Sequence, residues 1–326
     1  MLSLNRTYVK AAAKASLTGL GATQWLRPRV RWAFLFGWAV WGLLIGLFGG
    51  AIGLEPKTAL FMVANLLVLF VLYDFVVSYL LLERRDREGE LAVASRIQEG
   101  LFPTSVPRGE RYACAGLTRP ARVIGGDYWD VTLDGSGRPL LLVIDVAGKG
   151  VPAALLMAGL RSQFHLLARQ RLEPAQIVGE LNRVLVADSG PGDFATLLLV
   201  SIDTDARSLV AVNAGHPAGL LVRPDGSYEE LTSSGLPVGM LDGAPYEARV
   251  VPWNAGDRLV LYSDGLQDVA MDQESDGLST DAIARCVHDA RSSDPLRVLG
   301  ELMSLATDNA RDMVEDDVTV LVCAFK

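Results

Sequence analysis

The chain has 326 residues, half of them hydrophobic, and a formal charge of −8 at pH 7. That acidity excludes the positive footprint a nucleic-acid partner demands. The three cysteines, Cys114, Cys286 and Cys323, form no CxxC pair and leave an odd thiol over in any disulfide framework, which points to a reducing compartment.

The charge is unevenly spread. Residues 1–31 carry Arg6, Lys10, Lys14, Arg27, Arg29 and Arg31 and no acid, so this tail is +6 and the rest must be −14 to total −8. A basic tail suits the anionic face of a membrane, and membrane lipid is an expected partner. Residues 32–54 contain no charge and residues 59–82 only Asp74; each run exceeds the ~20 residues a helix needs to cross a bilayer. The short GLEPKT link, broken by Pro56, makes them a predicted transmembrane hairpin. Arginines flank the outer ends (Arg27, Arg29, Arg31 and Arg84, Arg85, Arg87), whereas the link offers only Lys57, so both ends are expected in the cytoplasm. The first apolar run starts too late and is too long for a cleaved signal peptide.

Gly42, Gly46 and Gly50 line one face of the first span, where small residues admit a neighbouring helix; chance glycine is the plain alternative. Asp74 is costly inside a span and so a candidate for sensing, unless it is simply protonated or bonded to a neighbour.

Residues 83–104 form a predicted helical connector with Leu91, Ala94, Ile97 and Leu101 at spacings of three and four, ending near Pro103. The stripe serves either protomer association, with a homodimer expected, or packing on the next domain.

Residues 105–326 read as that domain. LLLVIDV, TLLLVSID, SLVAVNAG, GLLVRPDG, DRLVLYSDG and VTVLVCAFK have strand character, and VPAALLMAGLRSQFHLLARQ and AQIVGELNRVLVAD helical spacing. Strands that follow one another through turn-like joins predict an α+β fold with mainly antiparallel sheets.

The acids recur at strand ends: Asp127 and Asp130 in GGDYWD, Asp145 closing LLVID, Asp264 in SDG, and Asp316 and Asp317 before VTVLV. Asp134, Asp203, Asp225 and Asp242 instead lie in polar connections and read as turn residues. Converging carboxylates suit hard divalent ions. Two such ions about 3.5 to 4 Å apart can activate a bridging water and neutralise a phosphoryl group, so no protein nucleophile is required. His165 and His288 sit in helical runs, no zinc spacing occurs, and no GxxxxGK[ST] loop is present.

IGGDYWDV, DVAGKGVPAALLMAGL, FATLLLVSID, NAGHPAGLLV, GLPVGM, GDRLVLYSDGLQDV and EDDVTVLV, in this order, resemble the SpoIIE/RsbU-type serine/threonine phosphatases of the metal-dependent PPM superfamily. The resemblance covers residues 91–326. It implies a layered αββα sandwich of two mainly antiparallel sheets flanked by helices, with two Mn²⁺ or Mg²⁺ ions at one end. It further implies a phosphoserine or phosphothreonine protein as substrate, commonly a STAS-domain anti-sigma-factor antagonist; it leaves the hairpin uncovered, and the apolar runs with their flanking arginines make a bacterial inner membrane the expected location.

Carried onto this chain, the metal ligands are Asp127, Asp145, the backbone carbonyl of Val146, Asp264 and Asp317, with Asp130 and Asp316 as water-mediated or outer partners. Gly125, Gly126, Gly148 and Gly150 allow close backbone approach, and Asn213 and His216 of NAGH orient the site or its loop. Lys149 attracts phosphate or is a solvated surface charge. Ala147 stands where eukaryotic relatives often carry histidine, so a protein general acid is not evident, and Asp268 replaces the usual Glu after SDG. Two other readings remain open: a noncatalytic module that binds a phosphoprotein at the membrane, and a nucleotide cyclase, which also uses paired aspartates but needs a nucleotide loop not evident here.

Overall fold

The computed structural model describes residues 55–188, 190, 192–268, 278–290, 292–309 and 316–326. The basic tail and the first predicted span lie outside these residues. Contacts divide the chain into two compact units, Met1–Ala92 and Val93–Lys326.

Pro56–Glu99 forms one continuous helix, α1, which contains the second predicted span. Among the described residues no helix is long and apolar enough to cross a membrane. The hairpin therefore gains no support here: its first arm is undescribed, and so are several apolar side chains of its second, such as Leu60, Leu66 and Leu67. Within α1, Asp74 is buried. The helix ends at Glu99, four residues before Pro103, as the connector pattern predicts. The connector stripe does not act as a unit. Leu101 packs against a core cluster while Ile97 is 64% exposed, and the buried residue of the last turn is Gln98.

The second unit is a sandwich of two five-stranded sheets. One sheet takes β1 (Tyr112–Arg119), β10 (Val318–Phe325), β9 (Arg258–Tyr262), β6 (Gly219–Val222) and β7 (Tyr228–Leu231), in that order. The other takes β2 (Tyr128–Leu133), β3 (Pro139–Val146), β4 (Ala195–Asp203), β5 (Ser208–Ala214) and β8 (Arg249–Pro252). The ladders between named strands are antiparallel. Helices α2 (Val151–Ala168) and α3 (Pro174–Asp188) cover the second sheet, and α5 (Thr280–Asp289) and α6 (Pro295–Asn309) cover the first. A short helix α4 (Asp264–Gln267) follows β9.

The uninterrupted apolar text of β3 now has its reason. Leu140, Leu142 and Ile144 point to α2 and α3, whereas Leu141 and Val143 enter the inter-sheet core with Trp129, Leu198, Leu261 and Leu321. A strand buried on both faces has no solvent side to mark with polar residues.

The six expected strands and two expected helices are all present. Strands β1, β2, β7 and β8 and helices α4, α5 and α6 are additions; β7 (YEEL) and β8 (RVVP) lack the apolar run that marks the equally short β6 (GLLV).

Candidate active site

Three acid-bearing segments meet at one edge of the sandwich: the loop before β2, the end of β3, and the paired turns after β9 and before β10. Asp145 lies in the last register positions of β3, opposite Thr196 of β4. The chain then turns through Ala147–Gly150, where Gly148 and Gly150 have positive φ, and enters α2 with Pro152 in its first turn. On the other sheet, Asp264 opens α4 and Asp317 precedes β10. Ser263 ties these two turns: its hydroxyl donates to the Asp317 carbonyl at 3.2 Å and accepts from the Thr319 amide at 2.9 Å.

The GGD loop threads between them. Asp317 accepts from the amides of Ala121 and Gly126, each at 2.8 Å. A Cβ at Gly125 would overlap the Asp317 carboxylate, and one at Gly126 would stand 2.8 Å from the Val146 carbonyl oxygen. Both glycines are thus required by close approach, and the approach brings the expected Val146 carbonyl beside the GGD loop.

Crowding shows in the protonation equilibria. Asp127 is 2% exposed, and burial, then the charge of Asp145, hold its pKa well above the carboxylate range. Its Oδ2 is buried with no hydrogen-bond partner. Burial followed by Asp264, Asp316 and Asp317 pushes Asp145 up to about 6. Asp264 is raised by burial, then by Asp268 and Asp316. One cation meets this charge at the rim, where Lys149 binds Asp316 at 2.9 Å, and Arg122 lies near enough to Lys149 to repel it.

Among the described residues no three His, Cys, Asp or Glu side chains converge tightly enough to hold a metal ion as they stand. Asp317 is turned to backbone amides and Asp316 to Lys149. The donors nevertheless fit a hard divalent cation. All are oxygens, one buried carboxylate oxygen is orphaned, and the burial and mutual repulsion that raise these pKa values oppose a negative charge that a dication would balance.

Asp130 is not brought to this group. The side-chain period of β2 turns it with Tyr128 toward α2, where it accepts from the Tyr128 hydroxyl and lies 2.7 Å from His165 Nε2. Its partners here are thus Tyr128 and His165 rather than the acids for which an outer metal role was expected. Asn213 and His216 serve the scaffold: Asn213 accepts from the His216 amide and donates to the Leu231 carbonyl, and His216 Nδ1 lies 2.7 Å from Thr196 Oγ1. Because Thr196 is the register partner of Asp145, NAGH braces the strand beside the acid.

Three supporting contacts had no legible signal. Gln98 of α1 bonds both backbone groups of Gly125. Arg161 of α2 donates to the Leu101 carbonyl at 2.7 Å. Asn182 of α3 accepts from the Gly239 amide of GLPVGM and donates to the carbonyl of Leu241, which follows that segment. Each joins residues far apart in sequence.

Comparison with known proteins agrees with this architecture. The chain is 27% identical over 186 residues to the phosphoserine phosphatase RsbU of Bacillus subtilis, covering 57% of this chain and 55% of RsbU. It is 26% identical to RsbP, a phosphoserine phosphatase of the same organism, over 55% of this chain and 45% of RsbP. The chain therefore spans about half the length of these relatives. The structure superposes on the SiaA-PP2C domain of Pseudomonas aeruginosa with a TM-score of 0.65 and 25% identity, covering 75% of this chain and 99% of that domain. The family described as Stage II sporulation protein E (SpoIIE) matches residues 135–326, from the turn before β3 to the last strand. With more than half the chain matched and the fold in agreement, the protein belongs to the SpoIIE family.

Proposed function

We propose that the chain is a metal-dependent phosphoserine/phosphothreonine protein phosphatase, anchored in a bacterial inner membrane with its N-terminus and sandwich in the cytoplasm. The observation that carries the reading is the all-oxygen group of buried Asp127, half-buried Asp145 and exposed Asp264, with raised pKa values and an orphaned carboxylate oxygen on Asp127. Its similarity to phosphoserine phosphatases supports the reaction class.

Asp127, Asp145, the Val146 carbonyl, Asp264 and Asp317 would hold a pair of Mn²⁺ or Mg²⁺ ions, with Asp316 at the rim. Bound there, such ions supply charge neutralisation of a phosphoryl group and acidify water. The chain's own groups do the rest. The Ala147–Gly150 turn leaves the approach to Asp145 uncrowded, since neither Gly148 nor Gly150 has a neighbour within 4 Å of a built Cβ. Lys149 and Arg122 draw the phosphate dianion toward the acids. Among the described residues, Ser263 is committed to the Asp317 carbonyl and the Thr319 amide, and burial pushes His216 down to about 3, which keeps it neutral. Water is left as the attacking group.

The substrate is a phosphorylated regulatory protein, in our reading a STAS-domain anti-sigma-factor antagonist. Membrane anchoring rests on the two apolar runs and their flanking arginines, with exposed Phe61, Leu69, Leu72, Val76 and Leu80 along α1 in keeping with it. The deciding assay is phosphate release from a phosphoserine peptide by the full chain in detergent, with Mn²⁺, with Mg²⁺ and with chelator. Release with either metal, abolished by chelator and by Asp145→Asn, is the expected outcome. A folded wild-type chain inactive under every condition would favour a noncatalytic phosphoprotein-binding module instead.

A further inference from the structure

The last turn of α1 reaches the acid-bearing loop through a single side chain. Gln98 is 9% exposed; its Nε2 donates to the Gly125 carbonyl at 2.7 Å, and its Oε1 accepts from the Gly125 amide at 3.2 Å. A primary amide that donates and accepts at one residue replaces the partner a neighbouring strand would provide, and Gln and Asn are the side chains that carry one. The next residue, Gly126, is held from the opposite side by Asp317, and the residue after that is Asp127. The loop is thus gripped at consecutive peptides by the helix end and by the β10 entry, immediately before the buried carboxylate. Three residues beyond Gln98, the Leu101 carbonyl accepts from Arg161 of α2, the helix that follows the Asp145 turn. One short segment, residues 98–101, therefore touches both structures that present the central acids.

We propose that Gln98 is a positioning residue of the active site: its two hydrogen bonds to Gly125 set the GGD loop so that Asp127 is presented for cation binding. This rests on the reading of the acid group as a cation-holding phosphatase centre. Gln98 touches no reacting atom, and it acts through Gly125. Its removal leaves a buried peptide N–H and C=O without partners, so the loop relaxes toward water and Asp127 is no longer held.

The test is Mn²⁺ titration by calorimetry of the full chain in detergent after chelator treatment, for wild type, Gln98→Met and Gln98→Ala, with hydrogen exchange of the peptide spanning residues 121–127. The methionine variant keeps length and apolar bulk and loses only the amide. About tenfold weaker Mn²⁺ binding in both variants is expected, together with faster exchange of residues 121–127, and a kcat deficit that added Mn²⁺ partly restores while KM for phosphopeptide holds. Affinity within twofold of wild type and unchanged exchange in a folded Gln98→Met would overturn the proposal. Should both variants fail to fold, wild-type exchange decides: slow exchange of residues 121–127 supports the clamp, and exchange at the rate of an unstructured peptide removes it. A wild-type chain that binds no Mn²⁺ would refute the cation-holding reading itself, while loop exchange in the folded variants would still judge the clamp.

Discussion

Asp145 is held in the fold at a cost, since burial and three neighbouring acids oppose its charge. Asp145→Asn removes that cost, so the chelator-treated variant should be more stable than chelator-treated wild type at pH 7.5 by about 1–3 kcal/mol, read from denaturant midpoints. Mn²⁺ should then raise the melting temperature of wild type but not of the variant, and activity should fall by at least about 100-fold, the scale of losing a transition-state electrostatic contact. Stability that is unchanged or lower in metal-free Asp145→Asn would mean that the acids are not in conflict.

His216 gives the opposite dependence. Its folded pKa is depressed to about 3 by burial, so the folded chain keeps it neutral while the unfolded chain protonates it below about 6.5. Its contribution is fully present above that value and is lost as pH falls toward 3, at about 1.4 kcal/mol per pH unit once the unfolded histidine is charged. His216→Asn should flatten the pH dependence of stability between pH 6 and 4. Parallel curves for variant and wild type would refute the assignment.

Among structural elements, the GGD loop has the least freedom. Gly126→Ala places a Cβ 2.8 Å from the Val146 carbonyl oxygen, backbone that cannot rotate aside. A loss of about 1–3 kcal/mol of stability and a clear loss of Mn²⁺ affinity are expected, since the loop must retreat from Val146. Gly148→Ala meets no neighbour, and its strain comes only from its φ of 99°. Gly126→Ala with wild-type metal affinity would show that the close approach is not needed.

The acids at β3, β9 and β10 were legible because an apolar strand that ends on a carboxylate breaks its own pattern. The direction of Asp130 was not. Asp127 and Asp130 sit three residues apart around the start of β2, and which face each takes depends on where the strand begins. The connector shows the same limit: its apolar stripe was visible, yet the buried contact is made by Gln98, whose polarity reads as surface in any sequence.

At the scale of the whole molecule, the proposed anchoring and association each carry a prediction. The full chain expressed in bacteria should stay with the membrane fraction through an alkaline carbonate wash and leave it only with detergent. Release by carbonate alone would exclude an inserted hairpin. Polar substitution of Leu91 and Ile97 should lower both oligomer size, measured by light scattering in detergent, and phosphatase activity. If both properties survive, the exposed Ile97 has no role in joining protomers.

The residue pattern alone determined an α+β class with mainly antiparallel sheets, the positions of the acids and the presence of a basic tail before two apolar runs. These follow from local chemistry, because strand burial, turn residues and bilayer-length apolar text are written in consecutive positions. Tertiary structure decided what consecutive positions cannot carry. It placed Asp130 with His165 rather than with the other acids, spent Asn213 and His216 on bracing β4, turned Asp317 to the amides of the GGD loop, and brought Gln98 to Gly125. Each of those contacts depends on which groups meet across the fold, and hydrogen-bond geometry at that distance leaves no trace in spacing.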